Sequence, residues 1–419
     1  MTILHITPHL GGGVGRVLLA WLRKDRSCKH SVMCLDYANE KALEASRKIG
    51  FRLYENVHVF PKLIEEHIEK ADIVLIHFWN HPLLYDFLVR ETLPPARIIM
   101  WSHISGSYPP YVFTRPLLRY PDYFVFTTPL SFGTKEVQAL ESTARMPVIW
   151  STAGPVSHVQ PRPHKGFVVG YIGTVDYCKL HPDFLKMCAA INIPDVHFVV
   201  CGGPCENEIR KEAESMGIGD KFTFTGYVDN VADYLAGFDV FGYPLNPMHY
   251  GTCDQALTEA MAAGVPPVVL SNPMESHMVQ SDTGLVVQDA DIYVKTMEYL
   301  YLNPASLKPL SENARASVGA RFSLDKMIGE WKGQFDEAMS LTKTAREWMG
   351  RVKGENVLPS DVFLESLGEY GKDFDPITTK NLRNLREQPI WSSATRGTAH
   401  HYHYFSPEDE RLKLWSDLT

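Results

Sequence analysis

Two stretches of this chain alternate short apolar runs with segments of helical spacing, and that alternation leaves few folds open. In the first stretch the strand candidates are Ile3–Thr7, Ser31–Leu35, Ile73–His77, Ile98–Trp101 and Tyr123–Thr127. Helical patterns at Val17–Leu22, Asn80–Val89 and Lys135–Ser142 connect them. In the second stretch the runs are Phe167–Ile172, His197–Cys201, Lys221–Thr225, Val240–Tyr243, Pro267–Leu270 and Gly284–Val287. Helical patterns fall between them at Pro182–Ala190, Glu206–Met216, Asp254–Ala263 and Asp291–Leu302. Strand–helix–strand repetition of this kind implies βαβ units around a parallel sheet. The two stretches share element order but are not sequence repeats.

A chain of 419 residues exceeds one ordinary core,. The organisation expected is a domain over 1–160, a second over 161–335, and a helical, aromatic extension over 336–419. The proline-rich stretch 155–163 is the natural linker. Helical patterns at Ala305–Val318 and Leu324–Ser340 lead into the extension. Its aromatics include Trp348, Tyr370, Trp391, Tyr402, Tyr404, Phe405 and Trp415, too many for a solvated tail, so it is expected to pack back on the first domain,.

Hydrophobic residues make up 45% and charged residues 21%, a globular balance,. The N-terminus enters a strand directly and lacks the pattern of a signal peptide, and no apolar run reaches the roughly 20 residues of a membrane span. The seven cysteines are odd in number and scattered. These features together point to a cytoplasmic protein with reduced thiols. The net charge of −8 argues against a nucleic-acid partner,. Residues 1–160 carry 17 Lys+Arg and 14 Asp+Glu, a balance of +3, which leaves −11 for the rest. A mildly basic first half suits an anionic acceptor or peripheral contact with a membrane surface; chance plus an acidic tail is the plainer explanation.

Gly11-Gly12-Gly13-Val14-Gly15 follows a strand and opens a helix. Glycines there allow close approach of backbone to a phosphate at the helix N-terminus, and they equally suit a tight structural turn. The segment Tyr250–Val269 joins a small-residue loop, a helix ending at Gly264 and a strand,. Glu259 lies mid-helix among Ala, Leu and Met, where a carboxylate is either a surface charge or a ligand anchor. His400, His401 and His403 lack metal-ligand spacing, and Asp373-Phe374-Asp375 lies outside any strand-end context, so neither is read as a metal site.

Glu259-Ala-Met-Ala-Ala-Gly264-Val-Pro266 resembles the marker of the family-4 retaining glycosyltransferases of the GT-B fold. The likeness extends over about 1–340. It implies two facing Rossmann-like domains, a nucleoside-diphosphate sugar as co-substrate, hexosyl-type transfer (the EC 2.4 class) with retention of configuration in the cleft between domains, and no essential metal or cofactor. The Glu matching Glu259 would accept both ribose hydroxyls. Gly170–Lys179 is similar to the strand and loop that end in the phosphate-binding lysine, Lys179. Phe222–Val228 resembles the turn that presents backbone groups to the base, at Val228. His103 would touch the donor sugar, although a core or capping histidine fits that position equally. Gly13 and Gly15 fall where the first loop meets the diphosphate or acceptor.

The chain departs from the pattern at Thr174, where the family carries Arg, and at Gly251, where it carries a first Glu. Asp254, His249 or the backbone of Gly251 and Thr252 could stand in. The acceptor would be a sugar, a lipid-linked sugar or a small molecule. Two rival readings stand beside this one: a degenerate GT-B subunit that binds without turnover, and a sugar-nucleotide epimerase of related architecture. The base, sugar and acceptor are not encoded in any motif.

Overall fold

The computed structural model describes residues 1–153, 159–354 and 356–419. Residues 155–158 of the expected linker lie outside the described residues. The chain divides into two compact units: Met1–Trp150 with Tyr250–Thr252 and Asp325–Thr419, and Ser151–His249 with Cys253–Leu324. The divisions therefore fall at 150 and 324 rather than at 160 and 335.

The first unit contains a parallel sheet of β1 (Thr2–Thr7), β2 (Lys29–Cys34), β3 (Arg52–Tyr54), β4 (Ile73–Phe78), β5 (Ile98–Ser102) and β6 (Tyr123–Val125), in the order β3-β2-β1-β4-β5-β6. Parallel pairing runs Ile3↔Ile73 and Val74↔Ile98 through the centre. The chain reverses direction across the sheet between β1 and β4, the switch point where doubly wound sheets bind ligands at their carboxyl ends. β3 and the helices Glu40–Ile49 and Pro61–Lys70 have no counterpart in the sequence reading. β3 spans three residues at the sheet edge, too few for a period to show. The helix expected over Lys135–Ser142 stops at Gln138.

A parallel sheet with helices on both faces buries both faces, so its strands read as continuous apolar runs. Leu4, Ile6, Val74, Ile76, Ile98 and Met100 enter the main core. The opposite pleat carries His5, His77 and Trp101, all fully buried. Trp21 from the helix Gly12–Lys24 meets His5 edge-on at 5.6 Å, and Trp331 stacks on Trp21 at 5.5 Å. Trp331 and Phe335 belong to the helix Leu324–Met339, and their contact with Trp21 ties this part of the chain to the first unit.

The rest of the extension completes the same core. Trp348, Phe363, Leu367, Phe374, Trp391, Tyr402 and Trp415 pack with Tyr85, Leu88 and Phe113. Thr344–Arg346 pairs antiparallel with Leu93–Ala96, Lys343 Nζ donates to Ala71 O at 2.6 Å, and Arg346 ion-pairs with Asp122. Asp375, of the Asp-Phe-Asp sequence, pairs with Arg411 at 2.7 Å while Phe374 is buried. His401 is buried on the helix Ala399–Phe405, with its ring against His81 at 4.7 Å.

The second unit repeats the order with β7 (Phe167–Ile172), β8 (Val196–Cys201), β9 (Phe222–Gly226), β10 (Val240–Tyr243), β11 (Pro267–Leu270) and β12 (Leu285–Val287), arranged β9-β8-β7-β10-β11-β12. The helix Gln255–Ala263 connects β10 to β11 and ends on Gly264, whose φ of +88° is the left-handed stop expected of that glycine,. Among the described residues no helix is long and apolar enough to cross a membrane.

Two outcomes follow from this packing. Truncation after Leu341 removes Trp348, Phe363, Trp391 and Trp415 from the first core, so the shortened chain should melt many degrees lower or become insoluble; equal melting would contradict the packing. Burial also holds the imidazoles of His5, His77, His81 and His103 below their usual range, with His9 at about 4 and His401 at about 3. A depressed folded pKa gives stability that is complete above the unfolded value near 6.5 and is lost as pH falls below it. Each such histidine contributes a loss of up to about 1.4 kcal/mol per pH unit until its folded pKa is reached. Melting measured at about pH 7.5 and about pH 5 should therefore show a marked drop at the lower pH, and a flat profile would show that these rings are not held neutral.

Candidate functional site

In the second unit the candidate residues gather at the carboxyl ends of β7 and β10, on either side of that sheet's switch point,. The loop after β7 is pinned from several directions. Tyr171 Oη donates to Thr174 O at 2.7 Å, and Lys179 N donates to Asp176 Oδ1 at 3.0 Å. Asn246, just beyond β10, donates its backbone N–H to Lys179 O and its side chain to Tyr177 O, both at 2.8 Å. Gly202 closes the approach from β8: a Cβ there would lie 1.8 Å from Gly173 O, so only glycine fits,.

This frame delivers Lys179 to Asp254. Its Nζ lies 2.8 Å from Asp254 Oδ1 and 5.7 Å from the centre of the Tyr243 ring, and both charged side chains are nearly inaccessible to solvent. Asp254 stands at the N-cap of Gln255–Ala263 but makes no capping bond to that helix. His249 and Glu275 complete the group, with Nε2 of His249 3.1 Å from the Glu275 carboxylate. Burial pulls the His249 pKa down, but the Glu275 and Asp254 charges outweigh it and the value is raised. Burial pushes the Asp254 carboxyl up, but the Lys179 and His249 charges outweigh it and hold it below the usual range. The Lys179 ammonium and the His249 imidazole thus meet two carboxylates in a dry setting, which is how buried polar and charged groups are tolerated.

His249, Asp254 and Glu275 offer ligand atoms within 4.8 Å of one another, a spacing that would suit a cation. The Lys179 ammonium already bonds Asp254 in that cluster. Among the described residues, the grouping is therefore compensated by the chain's own charges.

Glu259 is 1% exposed on the same helix, five residues after Asp254, with Leu257, Ala260 and Met261 buried around it. Val228 is half-buried after Gly226, whose φ is +67°. Gly251 and Thr252 are buried and group with the first unit.

In the first unit, Gly13 is exposed in the first turn of Gly12–Lys24, after β1. Gly15 is buried, and a Cβ there would lie 3.2 Å from the backbone of Leu10, so its lack of a side chain serves helix–strand packing. His103 follows β5, donates its backbone N–H to Phe78 O at 2.7 Å, and lies with its ring parallel to His77 at 5.3 Å. The structure thus brings Lys179, Asp254 and Glu259 into one unit, and places Gly13, Gly15, His103, Gly251 and Thr252 in the other. Sequence reasoning missed Glu275 and the partnership of Lys179 with Asp254. Glu275 lies in Asn272-Pro273-Met274-Glu275, a helix start after a strand; a fully buried acid in such a turn is the only signal it carries.

Comparison with known proteins places these observations. Residues 154–317 match the family model described as glycosyl transferases group 1. A 2-deoxystreptamine N-acetyl-D-glucosaminyltransferase of Streptomyces fradiae is 35% identical over 106 residues, which is 24% of this chain and 24% of that protein. The match thus spans about a quarter of that curated relative. Among solved structures, HepE of Anabaena in complex with UDP has a TM-score of 0.64 at 14% identity, covering 80% of this chain and 100% of that one. A second HepE structure, with UDP and glucose, gives 0.65 at 14% identity, covering 80% and 100%. The sucrose-phosphate synthase of Thermosynechococcus elongatus gives 0.63 at 15% identity, covering 81% and 99%. The chain has the α/β fold of GT-B glycosyltransferases, with two Rossmann-like units, and its second unit carries the glycosyl transferases group 1 match.

Proposed function

We propose that this protein is a glycosyltransferase that moves a sugar from a nucleoside-diphosphate donor to a hydroxyl-bearing acceptor, with retention of configuration and without a required metal. The observation that carries the reading is the buried Lys179–Asp254 pair at the switch point, with the buried Glu259 five residues after Asp254 on the helix that Asp254 opens. A nucleoside diphosphate needs two things that this arrangement can supply. A carboxylate with two acceptor oxygens suits a ribose cis-diol, the role given to Glu259. An ammonium in a dry setting suits the leaving diphosphate, which gains charge as the glycosidic bond breaks, the role given to Lys179.

Asp254 holds the ammonium in place until the diphosphate arrives and then shares it, standing in for the carboxylate that Gly251 does not supply. With Thr174 in place of Arg, Lys179 carries the diphosphate charge together with backbone N–H groups. Gly13 offers backbone to the diphosphate or acceptor, Val228 backbone to the base, and His103 a ring nitrogen to the sugar. The HepE complexes contain UDP and glucose, which supports UDP-sugars as the first donors to try. The acceptor class is a sugar, a lipid-linked sugar or a small molecule; the aminocyclitol relative favours a small polar one.

Two outcomes test this reading. Glu259→Ala should keep the fold, by melting, yet weaken nucleoside-diphosphate binding by one to several decades in calorimetric titration. It loses two hydrogen bonds to a charged group, each worth about 1.5–3 kcal/mol. Normal binding, or an unfolded variant, would remove Glu259 from the site. Turnover should persist in excess chelator, whereas Lys179→Ala should slow release of nucleoside diphosphate by roughly 100-fold or more. Because that variant leaves Asp254 buried without its cation, Lys179→Ala combined with Asp254→Asn separates slow chemistry from lost stability. Loss of turnover in chelator, restored by magnesium or manganese, would contradict the lysine's role. A wild-type protein that binds but never releases product would be the degenerate binder.

A further inference from the structure

Four histidines of the first unit form a continuous hydrogen-bonded row across its sheet, between Asp25 and the carboxyl end of β5. His30 Nε2 lies 3.4 Å from Asp25 Oδ2. His30 Nδ1 is 2.9 Å from His5 Nε2, His5 Nδ1 is 3.0 Å from His77 Nε2, and His77 Nδ1 is 3.0 Å from His103 Nε2. Each ring therefore meets its neighbours through opposite nitrogens. The row crosses β2, β1 and β4 and ends on the residue after β5, which spans three strand spacings, or about 14 Å,.

A neutral imidazole carries one N–H and one bare nitrogen, so in such a row the tautomer of one ring dictates that of the next. Asp25 sets the direction. Its carboxylate accepts from Ser27 N, Ser27 Oγ and Trp21 Nε1, and it has no proton to give. His30 must then point Nε2–H at Asp25 and present a bare Nδ1 to His5. The same step repeats through His5 and His77, each donating from Nε2 and accepting at Nδ1. The opposite direction would aim a bare His30 nitrogen at a carboxylate, lone pair against lone pair. The surroundings keep the rings neutral: Trp21 packs on His5 and His30, and Trp101 packs on His77 and His103. Asp25, 3.4 Å from His30 Nε2, is the charged group that contacts the row, and burial depresses each ring's basicity.

We infer that Asp25, His30, His5 and His77 are positioning residues that lock His103 as the Nε2–H tautomer, so that its Nδ1 is an obligatory hydrogen-bond acceptor demanding a donor group, a sugar hydroxyl, from the substrate. The hydroxyl part of this inference rests on the role proposed for His103; the tautomer lock does not. A serine or asparagine at position 103 could both donate and accept. An imidazole locked in this way only accepts at Nδ1, and so it discriminates a hydroxyl from a group without a proton to give. The geometry also accounts for four imidazoles in one sheet: replacing one would leave its neighbours' buried nitrogens unpaired.

The test is nitrogen-15 NMR of the full chain labelled at histidine, which reads the protonation of each ring nitrogen directly. In the wild type His103 Nδ1 should show the shift of a bare nitrogen and Nε2 that of a protonated one. Asp25→Ala removes the acceptor that faces His30 Nε2, so nothing fixes the direction of the row. His103 Nδ1 should then move part of the way toward the protonated shift, more than about 14 Å from the substitution. A protonated Nδ1 in the wild type, or a His103 signal indifferent to Asp25→Ala, would overturn the lock. Should Asp25→Ala fail to fold, the wild-type spectrum alone can still refute it.

UDP-glucose and UDP, added separately, test the substrate part. Hydrogen bonding from a sugar hydroxyl should shift His103 Nδ1 with UDP-glucose and not with UDP. An equal response to both would remove the hydroxyl contact. If neither ligand binds, the donor reading under Proposed function fails, while the comparison of wild type with Asp25→Ala still decides the lock.

Discussion

A parallel sheet covered by helices on both faces has no solvated side, and each polar group it carries must find a partner inside the protein. Much of the chemistry in this molecule follows from that constraint. In the first unit it gives the row from Asp25 to His103, where each imidazole satisfies the next. In the second unit the same need for partners applies beyond the strand ends, where Lys179, Asp254, His249 and Glu275 are held together out of water. Neither grouping needs solvent, so both are ordered before any ligand arrives.

Preorganisation of this kind bears on the proposed transfer. A lysine already held 2.8 Å from a carboxylate would lose little rotamer freedom if a diphosphate replaced or shared that partner,. Under that proposal its charge acts where Coulomb interactions are strong, a setting suited to stabilising a leaving group. On the same proposal, Thr174 and Gly251 stand where the resembled family carries one cation and one anion, so the two differences together are neutral in charge.

The extension adds a different element. Its aromatics are not an appendage to the first unit but part of its core, and Trp331 and Phe335 stack on the same Trp21 that covers His5 and His30. The walls of the histidine row thus include residues about 300 positions away along the chain. Stability of the first unit and the electrostatic setting of His103 are linked through this packing.

Much of the architecture was legible in the residues themselves. Long apolar runs such as Phe167–Ile172 and Ile73–Phe78 announced buried parallel strands, and Gly264 announced the end of its helix. Glu259 and Lys179 stood out through the resemblance to the family marker and its phosphate loop, which makes them candidates for a nucleotide. Local sequence could not reveal β3, whose three residues depend on the neighbouring strand for their pairing. Nor could it reveal that Lys179 meets Asp254 75 residues later, or that Glu275 is fully buried beside His249. His5 and His77 read separately as ordinary strand residues, His30 as the residue before a strand, and His103 as a candidate sugar contact. Only the sheet register sets them side by side, because hydrogen bonds act over about 3 Å and the chain brings such groups together only after it has folded,. Periodicity and turn chemistry, which are local, determined the elements; the pairing of buried polar groups, which is not local, was decided by tertiary structure.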